Sequence, residues 1–259
     1  MKQILVILCL AFITSQLSAQ AKFGLKAGLN YSKYKFELSD YFEAQGATKP
    51  VGKFSSIPGF QGGLIIIAPF SENIGLRTEL LLSFRNVEYN EYTSETNPVN
   101  FQQIETGEIV QDKSSYLDIP LNIYYSLPVG ANAVQLYMGF TMGIGLFGTY
   151  TYAGWSKESN IISGTSTTNA YEGEDDVAFG YIPYNEAERA KNTIYKNPID
   201  LSINLGASFL LSEHFLISLQ YSKGLSNTVP FQEDYVSYNR KDENRLEYRS
   251  TAFSLAYLF

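Results

Sequence analysis

The stretch SYLDIPLNIYYSL, residues 115–127, decides the fold. Leu117, Ile119, Leu121, Ile123, Tyr125 and Leu127 share one parity, and Tyr116, Asp118, Pro120, Asn122, Tyr124 and Ser126 share the other. A strand sends successive side chains to opposite faces, so this run predicts a β-strand with one oily wall and one mixed wall. A strand of a soluble sandwich carries the same pattern. Recurrence of the pattern, the placement of aromatics and the alternation of turns separate the two.

The pattern recurs. Working outward, strands are predicted at about 22–34, 57–68, 74–89, 133–152, 199–210, 215–221 and 251–259, which with the opening stretch makes eight. Their connections alternate. Tight turns fall at 69–73, 128–132 and 211–214, and polar loops at 35–56, 90–114, 153–197 and 223–247. A connection as long as 153–197 is out of place in a compact soluble domain. An even number of strands joined by alternating short and long connections is the arrangement of an outer-membrane barrel, closed because an open edge in lipid leaves N–H and C=O groups unpaired. Both termini are then expected on the periplasmic side.

Aromatics flank the oily walls. Phe23 and Tyr31 lie eight residues apart on the first strand, on the order of 20 Å along the membrane normal at a tilt of roughly 40°. Phe60, Phe84, Tyr150, Tyr152 and Tyr221 fall toward the outer ends of their strands, and Tyr125, Phe209, Phe215, Tyr257 and Phe259 toward the inner ends. Aromatic belts around an aliphatic band suit a lipid-facing wall. A soluble barrel, with its apolar wall inside, leaves Lys26, Arg77, Glu79, Asp118 and Asp200 on the opposite wall without a reason.

Composition agrees. Charged residues are 17%, below the roughly 25% of soluble domains, while aromatics reach 15%. The net charge of −7 argues against a nucleic-acid partner, which needs a basic face. At the N-terminus, Lys2 precedes an apolar run at 4–13 and small or polar residues at 15–21. This predicts a secretory signal peptide over residues 1–20, with the barrel domain at 21–259. The single cysteine, Cys9, lies within that peptide, so no disulfide or thiolate metal site is expected in the mature chain.

At 116–125, YLDIPLNIYY, the chain resembles the PorT-like outer-membrane β-barrel family, and FGLKAGLNYS at 23–32 and YSKGLSN at 221–227 match it in kind. The resemblance implies an outer-membrane barrel. The family takes its name from a member tied to protein secretion, a role that a barrel strand alone does not transfer.

Of the candidate sites, Lys26 and Arg77 are expected to face Glu79, Asp118 and Asp200 in a polar lumen network, because unpaired buried charge is costly. The alternative is a narrow solute pore. His214, beside Ser212 and Glu213, tempts a catalytic reading as a lipid-modifying enzyme, but three consecutive residues in a tight turn cannot converge on one substrate atom. Glu172, Glu174, Asp175 and Asp176 form an acidic patch without EF-hand spacing; it is expected to be a solvated loop, and residues 185–192 suggest a short helix. Phe253, Leu255, Tyr257 and Phe259 alternate to the C-terminus and resemble the terminal signal read by the outer-membrane assembly machinery. No nucleotide, hydrolase or metalloprotease motif is present, and no cofactor, metal or catalytic residue is expected. The expected partners are outer-membrane lipid, the assembly machinery and a secretion or envelope protein, the last contacted by the loops of a non-enzymatic structural or adaptor barrel.

Overall fold

The computed structural model describes residues 21–37, 52–97, 101–180, 193–228 and 245–259. The predicted signal peptide, the short helix at 185–192, and the loop residues 38–51 and 229–244 lie outside them. The described residues form strands: β1 (Lys22–Glu37), β2 (Lys53–Ser56), β3 (Pro58–Pro69), β4 (Ile74–Asn97), β5 (Gln102–Val129), β6 (Asn132–Asn160), β7 (Ser166–Phe179), β8 (Thr193–Lys196), β9 (Ile199–Leu211), β10 (Phe215–Gly224) and β11 (Arg245–Leu258). No described helix is long and apolar enough to cross a membrane.

Eight of these strands close a ring. β1 pairs with β3, β3 with β4, β4 with β5, β5 with β6, β6 with β9, β9 with β10 and β10 with β11, every pair antiparallel. β11 returns to β1, from Gly24 opposite Leu258 to Glu37 opposite Arg245. The Phe259 N–H then donates to the Phe23 carbonyl at 2.7 Å. The fold is therefore an all-β, up-and-down eight-stranded antiparallel barrel, with no exposed edge along its wall.

Parity decides which wall faces in. Leu121, Leu205 and Leu255 are 53%, 64% and 50% exposed, whereas Arg77 and Asp200 are 0% and 6% exposed. The oily faces thus surround the barrel and the charged faces turn to its axis. The end with the tight turns breaks this rule. There Ile65, Ile67, Tyr124, Tyr137, Leu216, Ala256 and Leu258 point inward and pack into an apolar plug. Glycines opposite the rings make room for them. A Cβ on Gly206 would lie 2.3 Å from the Tyr137 ring, and one on Gly75 would lie 2.5 Å from the Tyr124 hydroxyl.

The long connections depart from the sequence reading. Residues 90–97 and 102–114 are strand, not loop: β4 runs on to Asn97 and pairs with β5 up to Gln102. Residues 153–197 contain the end of β6, all of β7 and β8; β7 pairs with β6 and runs parallel with β8. The acidic residues Glu172, Glu174, Asp175 and Asp176 therefore sit on a strand of a four-stranded fin above the barrel. Polar composition hid these strands, because a sheet wet on both faces has no oily parity.

A β-bulge overturns one parity assignment. Ser115 pairs with Phe147 and Tyr116 with Gly145, leaving Leu146 as the extra residue of β6. Beyond it the faces swap. Phe147 points outward, 59% exposed, and Tyr150, expected in the outer belt with Tyr152, lies opposite Asp112 on the inner side. Tyr152 follows it, opposite the buried Val110.

An arginine at the lipid-facing centre of β9 tests the wall assignment. Leu205→Arg is expected to lower barrel stability by about 2–4 kcal/mol in urea titration from lipid vesicles, while Leu205→Phe leaves it nearly unchanged.

Candidate functional site

The lumen is a stack of polar layers rising from the apolar plug. In the lowest, Glu79 accepts from Lys26 Nζ at 2.7 Å and from Arg77 Nε at 2.6 Å. Arg77 also donates to Ser208 Oγ at 2.8 Å, and its guanidinium lies 4.3 Å from the centre of the Tyr137 ring. Above it, Asn204 donates to Thr141 Oγ1 at 2.6 Å and accepts from Ser222 Oγ at 3.0 Å.

The next layer centres on Arg85. One terminal nitrogen donates to Asp118 at 2.6 Å and the other to Asp200 at 2.5 Å. Its plane lies between two rings, 4.0 Å from the centre of Tyr116 and 4.1 Å from that of Tyr248. The sheet register explains the fork. Leu81, Asp118, Gly143 and Asp200 lie on one hydrogen-bonded row across β4, β5, β6 and β9. The two carboxylates flank a residue with no side chain. A Cβ on Gly143 would lie 2.7 Å from the Arg85 terminal nitrogen and 2.8 Å from Asp118 Oδ1.

The uppermost charged layer pairs Lys196 of β8 with Asp112 of β5. Lys196 Nζ also donates to Ser114 Oγ at 2.9 Å and to the Tyr34 hydroxyl at 3.1 Å. Asp112 accepts from Tyr34 at 2.9 Å and from Ser114 at 2.6 Å. The lower layer holds two cations to one anion and the Arg85 layer one cation to two anions, so the two together are balanced.

All five residues singled out for the lumen, Lys26, Arg77, Glu79, Asp118 and Asp200, are buried inside the barrel. They form two clusters, not one. Asp118 and Asp200 bind Arg85 and not Lys26 or Arg77, because the shared row brings both within reach of the arginine eight positions beyond Arg77 on β4. Arg85 carried a signal, its inward parity. Asp112 and Lys196 carried none, since both fell in stretches taken for loops.

Over the Lys196 layer lies a cavity of about 520 Å³ between the barrel mouth and the fin, walled by Phe54, Val87, Tyr89, Val110, Tyr150 and Leu246 among others. Burial, then the hydrogen bond to Glu91, pushes the Tyr89 phenol up to about 12. Burial and nearby carboxylates do the same to Tyr150. Both stay protonated at neutral pH.

At the turn end, His214 stacks on Tyr257 with 5.7 Å between ring centres, and its Nδ1 donates to the Leu258 carbonyl at 2.9 Å. Glu213 accepts from Lys22 at 3.0 Å, which holds its carboxyl below the usual range. Ser212 and Glu213 both adopt left-handed backbone, φ 52° and 63°. The His214 ring is thus engaged by the last strand and the Glu213 carboxylate by Lys22, while the Ser212 N–H donates to Asn132 Oδ1 at 3.1 Å. Phe253, Leu255, Tyr257 and Phe259 all point outward. Among the described residues no cluster of three or more His, Cys, Asp or Glu is arranged to hold a metal.

With this geometry in place, the sequence model described as "Outer membrane protein beta-barrel domain" matches residues 14–229. No curated protein matches the chain. Solved structures similar to it include the following three. Ail, the attachment invasion locus protein of Yersinia pestis, is 13% identical, with 93% of this chain and 99% of that one covered and a TM-score of 0.35. Neisserial surface protein A is 10% identical, with 93% and 99% covered and a TM-score of 0.33. OprG of Pseudomonas aeruginosa is 10% identical, with 92% and 96% covered and a TM-score of 0.30.

Two substitutions probe the layers. Glu79→Gln leaves Lys26 and Arg77 short of a counter-charge and is expected to destabilise the folded barrel by about 3–5 kcal/mol in urea titration. Gly143→Val drives a side chain into the Arg85 fork and is expected to cost about 1–3 kcal/mol, whereas Gly62→Ala on β3, where a Cβ would meet nothing nearer than 3.6 Å, is expected to leave stability nearly unchanged.

Proposed function

The chain belongs to the outer membrane protein β-barrel domain family, a bacterial outer-membrane protein, and from that premise we propose that it is a non-conducting, non-enzymatic scaffold that holds its acidic fin outside the cell for a protein partner. Both termini and the tight turns lie in the periplasm, and the fin and cavity face the exterior. The observation that carries this reading is the filled lumen. The apolar plug and three charge-paired layers lie in series across the barrel, and an eight-stranded barrel has only enough interior for such side chains.

The fin supports the adaptor role. Glu88 and Glu174 share one row of its outer face, with Glu172 and Asp176 two residues to either side of Glu174 on the same face. Beside them Tyr92 packs against Trp155, ring centres 6.2 Å apart, and Trp155 lies over Gly107. Acidic charge around an exposed aromatic pair suits a cationic protein surface. The strand at 115–127 supports a PorT-like placement within the family, and a secretion or envelope protein is then the partner class.

Planar lipid bilayers test the filled lumen: no steady single-channel current is expected from purified barrel. Regular conductance steps, abolished by a larger side chain at Gly143, would overturn the reading in favour of a narrow pore. For the partner, a photo-crosslinker at Thr168 on the fin is expected to give a discrete adduct in intact cells that weakens in Glu172→Lys/Glu174→Lys protein.

A further inference from the structure

The cavity over the Lys196 layer has walls and floor of different character. Tyr34 and Phe54 meet edge to face with ring centres 6.1 Å apart, and Phe54 and Tyr89 lie 4.8 Å apart. Val87, Val110 and Leu246 complete an apolar lining. About 520 Å³ falls within the range of small-molecule pockets.

The charged groups at its base are already used. Lys196 has Asp112, Ser114 and Tyr34, and Asp112 has Lys196, Tyr34 and Ser114. Glu91 at the side accepts from Tyr89 at 2.8 Å. The base therefore presents no free charge to an occupant.

One group there is unused. Thr228 lines the cavity and is 7% exposed, and its Oγ1 has no hydrogen-bond partner among the described residues. Its backbone is committed, the N–H to the Leu246 carbonyl and the carbonyl to the Asn197 N–H. The hydroxyl is thus held in place inside an apolar chamber, able to give or take one hydrogen bond. A buried polar atom left unmatched is costly, and a ligand that matches it recovers that cost.

We propose that this cavity is a binding site for a small uncharged aromatic amphiphile, its ring packed among Phe54, Tyr89 and Leu246 and its single polar group hydrogen-bonded to Thr228 Oγ1. The site discriminates by charge. An anionic head-group would be desolvated beside the Glu91 carboxylate and a Lys196 already paired with Asp112, with nothing to compensate it. The site does not depend on the lumen being closed or on any partner of the fin.

The test uses the full chain folded in lipid nanodiscs, titrated at neutral pH with 2-naphthol and with naphthalene-2-sulfonate, against empty nanodiscs. Saturable one-to-one binding of 2-naphthol is expected, with the sulfonate at least tenfold weaker. Thr228→Val keeps the shape and removes the hydroxyl; it is expected to weaken 2-naphthol about fivefold, the worth of one hydrogen bond of about 1 kcal/mol. Ile194→Trp, which puts bulk into the cavity wall from β8, is expected to abolish saturable binding. Heat-modifiable migration checks that each variant is folded. Partitioning no different from empty nanodiscs, equal affinity for the sulfonate, or unchanged affinity in either folded variant would overturn the proposal.

Discussion

The structure depends on one constraint: a sheet surrounded by hydrocarbon cannot leave an edge unpaired. The seam between β1 and β11 removes that edge, running from the chain end at Leu258 to the top of the barrel at Arg245. Closure with eight strands fixes a narrow interior. Every second residue of every strand must then fit inside it or face lipid outside, and the remaining features follow from how that space is filled.

Filling is done by matching large side chains to missing ones. Tyr137 lies over Gly206, Tyr124 over Gly75, and the Arg85 fork over Gly143. The same device recurs above the membrane, where Trp155 covers Gly107 and Tyr171 covers Gly154. These ring-over-glycine pairs give a strand pair side-chain contact where one partner has none. The charged layers obey a different rule. A buried ion pair adds little net stability over a hydrophobic packing of equal volume, yet losing one partner is costly. The layers therefore lock register: moving β5 by one residue would send Asp118 into lipid and leave Arg85 with Asp200 alone.

Most of the barrel was legible from parity, because lipid on one side and a polar axis on the other impose opposite demands on neighbouring residues. Leu121 against Asn122, and Leu205 against Asn204, are enough to orient β5 and β9. The fin was not legible for the same reason: Tyr92, Thr93 and Ser94 face water on both sides, so alternation vanishes where the bilayer ends. Tyr150 was misplaced because a bulge at Leu146 shifts parity without any mark in composition. The charged residues could be assigned to the lumen, but not to their partners. Pairing Asp118 with Asp200 around Arg85 requires the stagger between β4 and β9, which is a property of closure and not of either strand. The cavity was invisible, since its walls come from eight separate stretches, and Phe54, Val110, Lys196, Thr228 and Leu246 all fall in segments read as loops.

The central claim is that one closed wall divides an oily exterior from a polar axis. Cysteine pairs at Leu205 and Asn204, and at Leu255 and Ser254, carrying nitroxide labels in a chain with Cys9 removed, test it directly in lipid vesicles. Labels at 205 and 255 are predicted to relax strongly with oxygen dissolved in the bilayer, while those at 204 and 254 are shielded from it. Oxygen contact stronger at 204 and 254 than at 205 and 255 would contradict the account.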